Sequence, residues 1–272
     1  MWEIHYGVSN VMELYKTLQI FSPSPINLKM AFGNHILPST LITTLEKSEE
    51  FEDLQELRQW LDSHLPFPSP KTRKRAIDYA LALLELRDKS GKINKHPLVH
   101  LFPHLKDEKS KMELVYWQII KNFPYIKDFA LFLSENIEKE EISRESASEF
   151  LYSLMNKRSK DTFQSLLFLL EKFNLIKRDK REIHLSYYSP SPISFSFALC
   201  DEMLKEGRKT LEILELENNI VPRVFFMRRE LALSYIEEEK ELWQIERRPP
   251  LNRLLLLLSS LNEVVDSLKS RL

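Results

Sequence analysis

Lysine and arginine are the side chains that seat phosphate, and this chain gathers them where they are electrostatically awkward. Lys71, Arg73, Lys74 and Arg75 follow Pro70 at the opening of an apolar-periodic segment, and Lys157, Arg158 and Lys160 open a second one. The N-terminal end of a helix carries roughly half a positive charge, so each extra cation there costs about 0.3–1 kcal/mol unless an anion is near. A nucleic-acid backbone is the anion that such placement anticipates. Gln164 and Ser165, one turn into the second segment, are the candidates for base edges. Lys177, Arg178, Lys180 and Arg181 form a charged turn beyond it, suited to further phosphate contacts.

Other chemistry finds little support. His96, His100 and His104 are spaced four apart, as imidazoles on one helical face would be. Pro103 interrupts that face and no local carboxylate or Cys completes a ligand set, so no metal is expected. Cys200 is the single cysteine, which excludes a disulfide framework and a multi-Cys metal site and reads as a small buried apolar residue. The four glycines, Gly7, Gly33, Gly91 and Gly207, are too dispersed for a phosphate-cradling loop. Neither a Gly-x-Ser-x-Gly elbow nor a His-Glu-x-x-His helix occurs. Asp78, Glu85 and Asp88 lack a metal-binding pattern for a nuclease. The expectation is a protein without enzymatic activity or cofactor.

Net charge over the 272 residues is -1, yet the charges are segregated. Residues 1–65 carry -5, 66–127 carry +7, 128–156 carry -5, 157–181 carry +5 and 182–272 carry -3. Segregation of this kind focuses potential on part of the surface even in a neutral molecule. The 43% hydrophobic content is enough for a sizeable core. No apolar run reaches the roughly 20 residues that span a bilayer, and the first residues lack the basic and apolar regions of a leader. Together with the lone cysteine these features anticipate a cytoplasmic protein, a monomer or weak homodimer, with no membrane contact.

The elements that must position the cations read as mainly α, with few short strands. Residues 1–65 form an acidic helical region interrupted by Pro23, Pro25 and Pro38, and the stiff Pro66–Pro70 stretch marks a boundary. Residues 66–110 read as a first basic helix-turn-helix-like unit, with the turn around Ser90-Gly91-Lys92 as a short wing. Residues 111–187 read as a second, winged-helix-like unit. It comprises two core helices broken at Asn122–Pro124, a short helix from Ser143 to Met155, and a helix capped by Ser159 or Asp161, with Gln164 completing a capping box. A strand over Glu182–Tyr187 then follows the charged turn. The chain is thus a degenerate tandem repeat. Phe21–Ile26 and Tyr188–Ile193 share a Ser-Pro-Ser-Pro pattern that starts helices. Residues 188–272 read as a C-terminal helical region. There Leu251, Leu254, Leu258, Leu261, Val265, Leu268 and Leu272 make a leucine seam that packs on a helix over residues 222–246 as a helical hairpin, or on a partner chain.

Three stretches resemble the BrxA family of the BREX phage-defence systems: Ser69–Ala76, Tyr116–Ala130 and Arg158–Leu170, together covering roughly residues 69–176. The resemblance implies a mostly helical protein implicated in DNA binding within an antiviral defence complex. The expectation is therefore a DNA-binding protein whose partners are double-stranded DNA and other subunits of such a complex. The alternative is a scaffold or adaptor that docks through the acidic N-terminal region and the leucine seam.

Overall fold

The computed structural model describes residues 37–67, 69–248 and 251–272, and among these the chain is mainly α. In chain order the helices and strands begin α1 (Pro38–Ser48), α2 (Leu54–His64), α3 (Pro70–Leu83), α4 (Pro97–Leu101), α5 (Glu108–Asn122) and α6 (Pro124–Glu135). The middle of the chain supplies β1 (Glu141–Ser143), α7 (Arg144–Met155), α8 (Lys160–Lys172), β2 (Ile176–Arg178) and β3 (Glu182–Leu185). The remainder comprises α9 (Pro192–Lys205), β4 (Thr210–Glu212), α10 (Ile220–Val224), α11 (Arg229–Glu238), β5 (Trp243–Arg248), β6 (Leu251–Leu256) and α12 (Leu261–Lys269).

Helix α5 organises the core because it is apolar nearly all round. Every residue from Glu113 to Ile120 is buried, and a helix of that kind must be covered on all sides. Helices α1, α3, α6 and α9 provide the cover. Its Tyr116 ring packs edge-on against Phe225 and tilted against Phe173, and its hydroxyl donates to the Val224 carbonyl at 3.0 Å. Trp117 donates from Nε1 to Asp201 on α9 at 2.8 Å, and Lys121 reaches the same carboxylate at 2.9 Å. The Trp117 N–H and the Lys121 ammonium thus share one acceptor on α9, as burial of polar groups requires. One hydrophobic cluster runs from Leu41 to Leu268.

One element order occurs twice. Helix α6 is followed by β1, α7, α8 and the β2–β3 hairpin, and the three strands form an antiparallel sheet ordered β1–β3–β2. Helix α1 is followed by a bridging residue, Asp53, then by α2, α3 and a short turn. Asp53 bridges to Lys92 and Arg87 bridges to Ile93, which repeats the strand order in miniature. Both long helices also end alike. After α3, Glu85 takes a left-handed φ of 53° and the Leu86 N–H bonds the Leu81 carbonyl. After α8, Asn174 takes a φ of 59° and the Leu175 N–H bonds the Leu170 carbonyl. This is the six-to-one closure that satisfies orphan carbonyls at a helix end. The Pro66–Pro70 stretch joins α2 to α3, which pack on each other and on α1.

The C-terminal region departs from the sequence-based expectation. In place of a long helical hairpin, residues 220–272 form α10, α11, a β5–β6 hairpin and α12, and β6 pairs with β4 on its other side. The leucines of the expected seam are divided between strand and helix. Leu254 on β6 and Val265 and Leu268 on α12 are buried in the protein's own core, where α12 packs on α4 and α9. The Phe21–Ile26 pattern lies outside the described residues, while at its counterpart Ser191 caps α9 with Pro192 in the first turn.

Candidate nucleic-acid interface

Helix α8 starts at Ser159, whose hydroxyl accepts from the Thr162 N–H at 3.3 Å and pairs with the Thr162 hydroxyl at 2.8 Å. The anticipated Asp161–Gln164 capping box is therefore not made, because capping at Ser159 places Thr162, not Gln164, where it can close the box. Lys157, Arg158 and Lys160 are all exposed around this helix start. Among the described residues none of the three makes an ion pair or side-chain hydrogen bond. Helix α3 has neither a side-chain cap nor an acidic residue in its first turn, so its N–H groups and the exposed Lys71, Lys74 and Arg75 add their positive charge together.

Two of the thirteen expected residues are tied to carboxylates of the protein itself. Arg73 donates from Nε to Asp62 on α2 at 2.8 Å and from Nη1 to the Phe67 carbonyl. Arg178 donates from Nε to Glu171 on α8 at 2.9 Å. Each closes a helix or hairpin against its own unit, because each lies on the opposite phase of its element from the exposed cations beside it. These two cations are therefore less free to meet an outside anion than their exposed neighbours.

Around the hairpin, Lys177, Lys180 and Arg181 are exposed and make no ion pair among the described residues. The turn is held by Asp179, whose Oδ1 accepts from the N–H groups of Arg181 at 2.7 Å and Glu182 at 2.8 Å. The Glu182 and Arg181 hydrogen bonds hold the Asp179 carboxyl below its ordinary pKa. Arg144, which the sequence did not single out, ties this turn to α8. Its Nη1 donates to the Asp179 carbonyl at 2.8 Å and its Nη2 to Gln164 Oε1 at 2.6 Å. The wing and the polar face of α8 thus lie within one arginine's reach. Gln164 is exposed, Ser165 half-buried and Phe168 half-buried on the same face, with Lys172 over the Phe168 ring. Lys89 and Lys92 are exposed in the corresponding turn of the first unit.

The two sets of cations belong to different packing neighbourhoods, α3 resting chiefly on α1, α2 and α5, and α8 on α7 and β2. No family model and no curated protein matches the chain. Its fold is similar to a solved structure described as "SspB crystal structure". That match has a TM-score of 0.57 and 11% identity, and it covers 84% of this chain and 89% of that one. At that identity the likeness is one of fold.

In the histidine series, His96 and His100 are engaged with other parts of the chain. His96 is half-buried and its Nε2 lies 3.0 Å from the Leu84 carbonyl, while His100 meets Glu49 at 3.3 Å. Burial drives the His96 pKa down to about 4, so the imidazole is neutral at physiological pH. Cys200 is fully buried, and burial pushes its thiol up. No described helix is long and apolar enough to cross a membrane.

Proposed function

We propose that the chain is a DNA-binding protein without enzymatic activity of its own, gripping duplex backbone through two winged-helix-like units. The observation that carries this reading is the second unit. Helix, strand, helix, helix and hairpin follow one another with the sheet ordered β1–β3–β2. In helix-turn-helix arrangements the later helix of the pair lies in the major groove, and the hairpin of a winged variant lies along the backbone. Here Lys157, Arg158 and Lys160 surround the start of that helix, and Lys177, Lys180 and Arg181 lie on the hairpin. None of these six cations is tied to a carboxylate of the protein among the described residues, whereas Arg73 and Arg178 are. Lys71, Lys74 and Arg75 give the first unit a smaller version of the same surface.

Base readout in this arrangement is weak. A bidentate Gln–adenine contact uses the amide oxygen as well as the nitrogen, and the Gln164 oxygen is already held by Arg144. Phosphate contacts outnumber base contacts, which gives low sequence selectivity and strong salt dependence. The resemblance of residues 69–176 supports a place in a phage-defence complex. The scaffold alternative is weakened at its leucine seam, since Leu254, Val265 and Leu268 pack inside the chain. Titrating labelled duplex, single-stranded DNA and RNA at several salt concentrations tests the proposal. Duplex affinity that falls steeply with salt is expected, and affinity indifferent to salt would overturn it.

A further inference from the structure

The solvent face of the β1–β3–β2 sheet holds a set of side chains that phosphate contact does not use. Glu141 on β1 and His184 on β3 are direct cross-strand partners, and Glu182 precedes His184 by two residues on the same face. Ile142, Ile183 and Leu185 alternate toward the core. One carboxylate oxygen from each glutamate and a ring nitrogen of His184 lie within 4.8 Å of one another.

Two features separate this trio from an ordinary polar surface. First, the imidazole is oriented from behind. His184 Nε2 lies 3.2 Å from Asp179 Oδ2, and the other Asp179 oxygen is fixed by the Arg181 and Glu182 N–H groups. A carboxylate on one ring nitrogen fixes the tautomer and turns the other nitrogen's lone pair outward, the arrangement that serves ligating histidines. Here the outward atom is Nδ1, which lies 3.9 Å from Glu141 Oε2. Second, the carboxylates lack a cationic partner. In the other sheet Arg253 stands across from both Glu212 and Glu246. In this one the middle place of the row is taken by His184, with Lys177 on its far side and in ion contact with neither glutamate among the described residues.

We propose that Glu141, Glu182 and His184 bind a divalent transition-metal ion of the zinc class, which ties β1 to β3 at the base of the wing. Two carboxylate oxygens and one imidazole nitrogen with open positions for water suit Zn²⁺. Mg²⁺ gains nothing from a nitrogen donor. The ion would also cancel two negative charges beside the wing cations. That consequence rests on the DNA-binding reading; the metal site itself does not.

The test uses the full chain, stripped by chelator and titrated with Zn²⁺ alone against a chromophoric competitor. Saturable binding of one ion is expected, with an upward thermal shift that Mg²⁺ does not reproduce. His184→Ala and Glu182→Gln are expected to weaken binding at least tenfold with unchanged circular dichroism, and Glu149→Gln, on the exposed side of α7, to leave it intact. Asp179→Asn, whose amide oxygen can still accept from the Arg181 and Glu182 N–H groups while the carboxylate facing His184 Nε2 is lost, is expected to weaken it about tenfold. Absence of saturable binding, or equal binding by the His184→Ala variant, would overturn the proposal. Because no nucleic acid is present, that failure is distinct from failure of the duplex titration.

Discussion

The division between free and tied cations makes a quantitative prediction about the second unit. Each phosphate neutralised on B-DNA contributes about -0.9 to the slope of log affinity against log salt. If about five of the unit's six free cations are seated, the wild-type slope is about -4.5, or roughly 500-fold weaker binding at 200 mM than at 50 mM salt. Replacing Lys157, Arg158 and Lys160 together by alanine removes three contacts and brings the slope to about -1.8, a loss of only roughly tenfold over the same range. Arg178→Ala is the internal control. Its guanidinium is committed to Glu171 at 2.9 Å, so the slope should move by less than about 0.5, while the loss of a partly exposed ion pair costs about 1 kcal/mol of stability or less. Fluorescence anisotropy with a labelled duplex of 20–30 base pairs reads all three proteins. A triple variant with the wild-type slope, or an Arg178→Ala slope as shallow as the triple variant's, would refute the reasoning.

Further expectations follow from the buried polar groups. His96 has a folded-state pKa of about 4 against an ordinary 6.5, so below pH 6.5 the unfolded chain takes up a proton that the folded one refuses. Stability should fall by about 1.4 kcal/mol per pH unit between pH 6.5 and 4 from this group, and urea midpoints of a His96→Gln variant should show a correspondingly flatter acid limb. Asp201→Ala leaves the Lys121 ammonium and the Trp117 N–H without their shared acceptor. A cost of about 3–5 kcal/mol is expected and is measurable by chemical denaturation. A loss below about 1 kcal/mol would mean water replaces the carboxylate. Glu85 is exposed and holds a φ of 53°. Glu85→Gly should therefore raise stability by about 0.5–1 kcal/mol, and a lowered melting temperature would contradict the left-handed assignment.

The helices and strands over residues 143–185 were legible in the sequence because their signals are local. Ser143 and Ser159 cap the helices they precede, Asn174 supplies the left-handed turn, and Glu182–Leu185 alternates as a strand does. The C-terminal region was not, because a three-four leucine spacing is ambiguous where it includes an unbroken run. Leu254 to Leu258 has no period of its own, and Pro249-Pro250 fits between two strands as readily as between two helices. Contacts such as Arg144 with Gln164, or Glu141 with His184, depend on helix packing and strand pairing and have no local signature.

The basic cluster lies between these cases, since part of its fate was readable. At about 100° per residue, Lys74 and Arg75 fall within about 60° of Lys71 on either side of it on α3, whereas Arg73 lies about 160° from both Lys71 and Arg75. Four cations in five residues cannot therefore share a face, and the odd one is matched by a carboxylate of the neighbouring helix, Asp62 on α2. Along β2 the period is two, so Lys177 and Arg178 must point to opposite sides. The inner one meets Glu171 on α8, and the outer one stands exposed. In both elements the phase of the backbone, more than the number of positive residues, decides which charges remain to meet an outside anion. A contact set taken from the sequence run alone overcounts by those facing in.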